Sequence, residues 1–74
     1  MKITIKLFAT LREGLFNKKT VEFAEGCTVE QVIKELSIPR EKVSIIFVNN
    51  CHEKMNHRLS DGDEVGLFPL VGGG

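Results

Sequence analysis

Apolar and polar residues alternate at the start of the chain. Within residues 2–8, three apolar side chains take one side and two lysines and a threonine take the other, which is the period of two that is typical of a half-buried strand. The apolar members of this alternation are Ile3, Ile5 and Leu7. The pattern returns over residues 20–24. We predict that the two stretches pair as an antiparallel hairpin, joined by a loop or short helical turn that Leu11, Leu15 and Phe16 pin to the body.

One helix is predicted with complete start and stop signals. Thr28 suits the N-cap, and Gln31, three residues later, completes a capping box. The apolar residues that follow lie at i, i+3, i+4 and i+7, and they are Val29, Val32, Ile33 and Leu36. Cys27 and Val32 suit a hydrophobic staple, which gives Cys27 a structural role. The helix is expected to end before Pro39, because the residue that precedes a proline avoids the α region.

The second half of the chain reads as strands and turns. Residues 44–48 are apolar on both faces, which predicts a strand covered on both sides. Asn49–Asn50 favours a turn, since asparagine tolerates left-handed backbone geometry. The polar residues 52–58 are expected to hold a short edge strand. Residues 60–63 form a strong turn signal around a glycine, and residues 64–68 are predicted to form the last strand.

This order of elements predicts an α+β fold, in which a mixed sheet of four to five strands packs on one main helix. Seventy-four residues suffice for one small domain. We assign this domain to residues 1–68 and treat residues 69–74 as a flexible, glycine-rich C-terminal tail. If the first and last strands are central neighbours, the tail leaves the domain from a rigid support.

Composition and charge argue against several classes of function. Ten basic residues balance ten acidic ones, which argues against nucleic-acid binding by bulk electrostatics. The sequence contains no apolar run of about 18 residues, so no transmembrane helix is predicted. The alternating start does not resemble a signal peptide. We therefore expect a cytoplasmic protein.

Residues with metal-binding or nucleophilic side chains are few. Cys51, His52 and His57 form the only cluster of metal-ligand types, and Cys27, far off in sequence, is the only possible fourth ligand. Neither cysteine belongs to a C-x-x-C pair. We predict no metal site, and we expect the cluster to decorate an exposed loop.

The chain ends in three consecutive glycines, Gly72, Gly73 and Gly74. Glycines lack Cβ atoms, so this segment could thread a channel too narrow for other residues and present the terminal carboxylate to a partner. Pro69 suits the end of a strand because it has no amide hydrogen to donate. Six residues from Pro69 onward could reach about 20 Å when extended. The alternative is a frayed terminus or a cloning linker.

Several stretches, taken together, resemble one family. They are residues 6–13 (Lys-Leu-Phe-Ala-Thr-Leu-Arg-Glu), Thr28–Val29, Val48–Asn49, residues 59–65 (Leu-Ser-Asp-Gly-Asp-Glu-Val) and residues 68–74 (Phe-Pro-Leu-Val-Gly-Gly-Gly). In this order they resemble the MoaD/ThiS-like sulfur carriers, ubiquitin-like β-grasp proteins, and within them the small subunit of molybdopterin synthase. The sequence departs from that branch at Leu70, where a second proline is common, and in the short loop after Glu13. Its ending also occurs in the carrier for thiamine thiazole synthesis.

The resemblance implies a function that fits the tail. A separate ATP-dependent, E1-like enzyme would adenylate the Gly74 carboxylate, and sulfur transfer would give a thiocarboxylate that donates sulfur in molybdenum or tungsten cofactor biosynthesis. Gly72 and Gly73 would thread the active site of the partner, the synthase large subunit or an equivalent acceptor. The chain itself would be a cosubstrate and not an enzyme. It would bind no cofactor, and the activating partner would be the protein that uses ATP.

Partner binding needs apolar side chains beside the tail. The candidates are Phe8, Phe68, Pro69, Leu70 and Val71. Plain core packing is the alternative role of Phe68, and Arg12 and Glu13 could equally form a solvated pair. Three alternatives to the molybdopterin function remain open: a sulfur carrier for thiamine thiazole synthesis, a ubiquitin-like protein modifier joined to lysines, and a structural interaction module.

Overall fold

The computed structural model describes residues 1–70. Within that range the strands are β1 (Lys2–Leu7), β2 (Lys18–Glu22), β3 (Val43–Val48), β4 (Cys51–His52) and β5 (Glu64–Pro69), and the α-helix is α1 (Val29–Glu35). Two short 3₁₀ helices, Ala9–Arg12 and Arg40–Lys42, lie between these elements. Val71, Gly72, Gly73 and Gly74 lie outside the described residues, and so does most of the tail that the sequence predicts.

The sheet has the order β2-β1-β5-β3-β4. The central pair β1 and β5 is parallel, and the other three pairs are antiparallel. The mixed sheet and the central position of the first and last strands are both as predicted. The strand that leads to the C-terminus, β5, is the middle strand of the sheet and is hydrogen-bonded on both sides.

The hydrophobic core lies between α1 and one face of the sheet. Alternate residues of the central strands point into it, together with the apolar stripe of the helix: Ile3, Ile5, Leu7, Ile46, Val48, Val65, Leu67, Val29, Val32 and Ile33 are all buried. Within residues 1–70, the largest side chains that are less than 2% exposed all belong to this set. The apolar residues that recur every two positions in the strands and every 3.6 positions in the helix therefore face the same hydrophobic core.

The helix begins as the sequence predicts. The Thr28 Oγ1 accepts a hydrogen bond from the Gln31 amide at 3.3 Å, and the Thr28 amide donates to Gln31 Oε1 at 2.8 Å. Cys27 and Val32 are both buried, in agreement with a staple. The helix ends at Glu35, earlier than Pro39 alone requires, because Ser37 adopts a left-handed φ of 59°.

The structure corrects three details of the predicted pattern. β2 begins at Lys18, and Phe23 lies beyond its end in the core. Leu15 does not pin the first loop, since 49% of it is exposed. Residues 44–48 were expected to be covered on both faces, yet Ile45 is 39% exposed. α1 covers only one face of the sheet, so the apolar residues on the other face of β3 remain accessible.

The turn before β4 holds two strands together. Asn49 and Asn50 have φ values of 51° and 69°, which are typical of a tight hairpin turn. The Asn49 Nδ2 donates to Asp63 Oδ1 at 2.8 Å, and its Oδ1 accepts from the Glu64 amide at 2.9 Å. The turn is thereby fixed to the start of β5. No helix among residues 1–70 is long and apolar enough to span a membrane.

Candidate functional site

The face of the sheet opposite α1, which we call the open face, carries the alternate residues of β5. Val65 and Leu67 point into the core, so Glu64, Gly66 and Phe68 lie on the open face. Phe68 is the residue before Pro69, where β5 ends. The last strand therefore presents an aromatic ring beside the point where the chain leaves the sheet.

Phe68 belongs to a group of four rings on the open face, which we call the aromatic cluster: Phe8, Phe47, His52 and Phe68. The Phe8 and Phe68 rings are stacked, with centroids 4.2 Å apart and an angle of 4° between their planes. The Phe47 ring meets Phe68 edge-on at 5.7 Å and 79°. His52 lies against Phe47 at 5.8 Å. Both arrangements among the phenylalanines are favourable for aromatic pairs.

Strand register brings these rings together from three strands. Phe8 follows β1, which pairs with β5 through Lys6 opposite Gly66. Phe47 of β3 also lies opposite Gly66, and it pairs with His52 of β4. Residues that are far apart in sequence thus meet on the open face: Phe47 and His52 share the row of Gly66, and Phe68 lies opposite Ile45 in a neighbouring row.

Gly66 provides the floor of the cluster. A Cβ atom at this position would lie 3.4 Å from Cε2 of Phe8 and 4.0 Å from Cε2 of Phe68. A side chain at this position would occupy the space that the edges of both rings approach, so glycine allows the two phenylalanines to pack close to the strand. A small surface cavity of about 100 Å³ remains between the cluster, Asn50 and the Lys6–Glu64 pair.

The chain beyond the cluster is held as far as Leu70. Pro69 is buried and lies opposite Val43 of β3. The Leu70 amide donates a hydrogen bond to the Lys42 carbonyl at 3.0 Å. The Leu70 side chain is 71% exposed. The described chain therefore ends with an apolar side chain in solvent, one residue after the sheet.

One ion pair borders the aromatic cluster on the open face. The Lys6 Nζ lies 3.3 Å from Glu64 Oε1, and both side chains are a little more than one third exposed. An exposed pair of this kind adds about 0–1 kcal/mol to stability. Its main effect is to place a charged rim beside the rings.

The cysteine and histidine residues do not form a site in the described chain. Within residues 1–70 no group of three His, Cys, Asp or Glu side chains is arranged to hold a metal. Cys51 and His52 are exposed on β4, whereas His57 is half-buried, with its Nδ1 3.2 Å from Glu53 Oε1. Cys27 is buried, and this burial, with a smaller effect from the negative charge of Glu35, raises the pKa of its thiol.

The structure brings together some of the residues that the sequence proposes for partner binding. Phe8 and Phe68 are in direct contact, and Leu70 is exposed two residues further on. Phe47 and His52 were not among the proposed residues. The alternation of Phe47 with the buried Ile46 and Val48 was a usable signal, but placing Phe47 beside Phe68 on the open face requires the strand register.

Comparison with known proteins gives a consistent result. The model of the ThiS family matches residues 5–74. No match is found among curated proteins. Among solved structures, one similar chain comes from Pyrococcus furiosus, and its proposed identity is molybdopterin converting factor, subunit 1. It is 30% identical to this chain, with a TM-score of 0.79, and the match covers 96% of this chain and 99% of that chain.

Two more distant structures share the fold. Small archaeal modifier protein 1 of Haloferax volcanii has a TM-score of 0.77 at 22% identity, over 95% of this chain and 98% of that chain. A complex of subunits 1 and 2 of the molybdopterin-converting factor from Helicobacter pylori contains a similar chain, with a TM-score of 0.67 at 21% identity and full coverage of both chains. The fold is the ubiquitin-like β-grasp, which confirms the predicted architecture.

Proposed function

The chain belongs to the ThiS family, and we propose on this basis that it is a sulfur carrier that acts through the carboxylate of Gly74. Membership confirms the resemblance found in the sequence. The observation that carries the proposal is the extent of the family match, which runs through the three terminal glycines to the last residue. Terminal glycines suit this role because they carry no side chain and let the backbone approach a partner closely.

The chemistry has two steps, and both are carried out by partners. An activating enzyme joins a Gly74 carboxylate oxygen to the α-phosphate of ATP, and pyrophosphate leaves. A sulfur nucleophile then attacks the carbonyl carbon, AMP leaves, and a thiocarboxylate results. Adenylation is needed because a carboxylate oxygen is otherwise a poor leaving group. ATP is therefore consumed by the activating enzyme, and the carrier is its cosubstrate.

Molybdopterin biosynthesis is the pathway that the similarities favour. The 30% identical Pyrococcus furiosus protein has the proposed identity of molybdopterin converting factor, subunit 1, and the Helicobacter pylori protein of the same fold is part of a complex with subunit 2. In this pathway the large subunit accepts the tail of the carrier, with Gly72 and Gly73 passing through its active-site channel. Glycines suit such a channel because they carry no side chain.

The aromatic cluster is the docking surface that we assign to the partners. Phe8 and Phe68 form an apolar surface beside the point where the chain leaves the sheet, and the exposed Leu70 extends it toward the tail. Pro69 and Val71 flank that residue in the sequence. Buried aromatic anchors dominate the binding energy of many interfaces. Docking here would leave the last four residues pointing into the partner.

The first experiment measures intact mass. The purified chain is incubated with ATP, a sulfur source and the activating enzyme of the same organism, alongside a copy that lacks Gly74. We expect the full-length chain to gain the mass difference between sulfur and oxygen on its terminal glycine, and we expect no gain in the truncated copy. Absence of a gain, with an activating enzyme shown to adenylate a known carrier, would refute sulfur carriage.

The alternative functions use the same adenylated terminus and differ in the acceptor. A carrier for thiamine thiazole synthesis would support that reaction in place of dithiolene formation, which a reconstituted assay of each product distinguishes. A protein modifier, to which the structural similarity with small archaeal modifier protein 1 draws attention, would form amide bonds to lysine. Lysine conjugates in a mass-spectrometric digest, without a thiocarboxylate intermediate, would favour the modifier.

A further inference from the structure

A second surface cavity adjoins the aromatic cluster. It has a volume of about 260 Å³, and its charged lining residues, Lys6, Arg12 and Lys18, are all basic. Leu7, Phe8 and Asn17 complete its lining. We call it the basic pocket. Lys6 and Phe8 also line the small cavity at the aromatic cluster, so the two cavities form one continuous surface.

The positive charge of the basic pocket is only partly balanced. Glu64 pairs with Lys6 at 3.3 Å. The other ion pairs within residues 1–70 are Arg40–Glu30 and His57–Glu53, so neither Arg12 nor Lys18 has an acidic partner in the described chain.

The sheet places two of these positive charges side by side. Lys18 of β2 lies directly opposite Lys6 of β1 in the strand register, and like charges in this arrangement are destabilising. The whole chain has no net charge. The excess of positive charge is therefore confined to this corner of the open face.

We propose that the large subunit, subunit 2 of the molybdopterin-converting factor, docks on the aromatic cluster and places Asp or Glu carboxylates in the basic pocket, against Arg12 and Lys18. This inference rests on the proposed function, because it concerns the rim of the same docking surface. A carboxylate there would relieve the repulsion between Lys6 and Lys18. The arrangement, an apolar centre with a charged rim, is the usual anatomy of a protein interface.

A protein carboxylate fits the pocket better than a phosphate polymer does. Proteins that bind nucleic acid usually carry a broad basic surface, whereas here acidic Glu64 lies next to the pocket and the chain as a whole is neutral. Rim charges chiefly accelerate association and select orientation. The pocket would thus orient the carrier so that its tail meets the active site.

The test is a pair of charge reversals, Arg12→Glu with Lys18→Glu. Lys18→Glu places a carboxylate opposite Lys6, which favours the folded sheet. Thermal unfolding followed by circular dichroism verifies that the variant folds. The matched control is Lys34→Glu with Arg58→Glu, the same change of charge at two exposed residues that line a separate cavity beside α1. Because Arg58 donates a hydrogen bond to the Gly26 carbonyl, the folding of this control is verified in the same way.

The measurement is the association rate constant with subunit 2 of the molybdopterin-converting factor of the source organism, at about 50 mM and about 500 mM salt. We expect the Arg12/Lys18 variant to associate at least about tenfold more slowly at low salt, with the difference shrinking at high salt because counterions screen the charges. We expect the control to associate within about twofold of the unaltered protein.

The outcomes separate this inference from the proposed function. An unchanged association rate for the Arg12/Lys18 variant, with normal binding by the unaltered chain, would overturn the basic pocket and leave the docking surface in place. Loss of polyphosphate binding in that variant, with unchanged binding of subunit 2, would likewise overturn it by assigning the pocket to a phosphate polymer. Failure of the unaltered chain to bind subunit 2 would overturn the assignment of this partner, and the inference with it.

Discussion

The stacked pair of Phe8 and Phe68 leads to a quantitative prediction. Replacing each ring with alanine, singly and together, gives a double-mutant cycle that isolates the energy of their contact. At a centroid separation of 4.2 Å and an angle of 4°, an aromatic pair contributes about 0.5–1.5 kcal/mol beyond the area it buries. We therefore expect a coupling energy of about 1 kcal/mol in the free energy of unfolding.

The structure also predicts an order among the single variants. Phe68 contacts both Phe8 and the edge of Phe47, whereas Phe8 has only the stacked ring as an aromatic partner. Phe68→Ala should therefore cost more than Phe8→Ala by about one aromatic pair, or 0.5–1.5 kcal/mol. Neither should reach the roughly 3–5 kcal/mol typical of a fully buried phenylalanine, because both rings are half-exposed.

The assay is urea unfolding followed by far-ultraviolet circular dichroism, since the chain has no tryptophan or tyrosine for fluorescence. With an m value near 1 kcal/mol/M, a change of 1 kcal/mol moves the midpoint by about 1 M. The control cycle combines Phe8→Ala with Phe23→Leu, because Phe23 is buried in the core near the opposite end of β1.

The control pair should be additive. Additivity of the Phe8 and Phe68 effects within about 0.3 kcal/mol would show that the rings do not stack in solution. A loss above about 4 kcal/mol for Phe68→Ala would mean that Phe68 is a core residue, and the docking surface would lose its central member.

Three further predictions concern single residues. Thr28→Ala removes the capping box and should cost about 1 kcal/mol, which lowers the unfolding midpoint by about 4–8 °C, whereas Thr28→Ser should keep most of the stability. Asn49→Ala leaves Asp63 without its amide partner and places alanine at positive φ, so it should cost about 1–3 kcal/mol in urea unfolding, and Asn49→Gly should recover only the backbone part. The free energy of unfolding should fall as pH rises above the pKa of the unfolded Cys27 thiol, roughly 8.5, toward the raised pKa of the folded state. Cys27→Ser should flatten this decline, and in the native chain iodoacetamide should modify the exposed Cys51 well before Cys27.

These three predictions also have clear contrary results. An unfolding midpoint unchanged by Thr28→Ala would mean that the cap bonds contribute nothing to the fold. Full recovery by Asn49→Gly would assign the effect of Asn49 to the backbone alone. Equal rates of alkylation at the two cysteines would contradict the burial of Cys27.

The elements predicted from sequence were those whose signals are local. The capping box of α1 depends on Thr28 and Gln31, which lie within one turn of each other, and the structure shows both of its hydrogen bonds. The alternation in residues 2–8 gave the correct buried face of β1 because pleating depends only on the backbone. Leu15 was misplaced, since its apolar character does not say whether the loop turns it toward the core.

The candidate site was predicted in part, for a related reason. Phe8 and Phe68 were chosen as large apolar residues for a patch beside the tail, and the parallel pairing of β1 with β5 brings them into contact. Phe47 and His52 reach the same place through the pairing of β3 with β5 and with β4. That pairing depends on the global strand order, which no window of neighbouring residues contains.

By itself, then, the sequence determined most of the elements, the buried faces of β1 and α1, and the family, because these depend on short-range periodicity, capping and characteristic stretches of residues. Only the tertiary structure decided which side chains share the open face. Strand register brought the rings of the aromatic cluster together on the open face and set Lys18 opposite Lys6. A shift of one residue in either pairing would send these side chains to the other face of the sheet. The docking surface is for that reason a property of the fold, whereas the glycine-rich end is a property of the sequence.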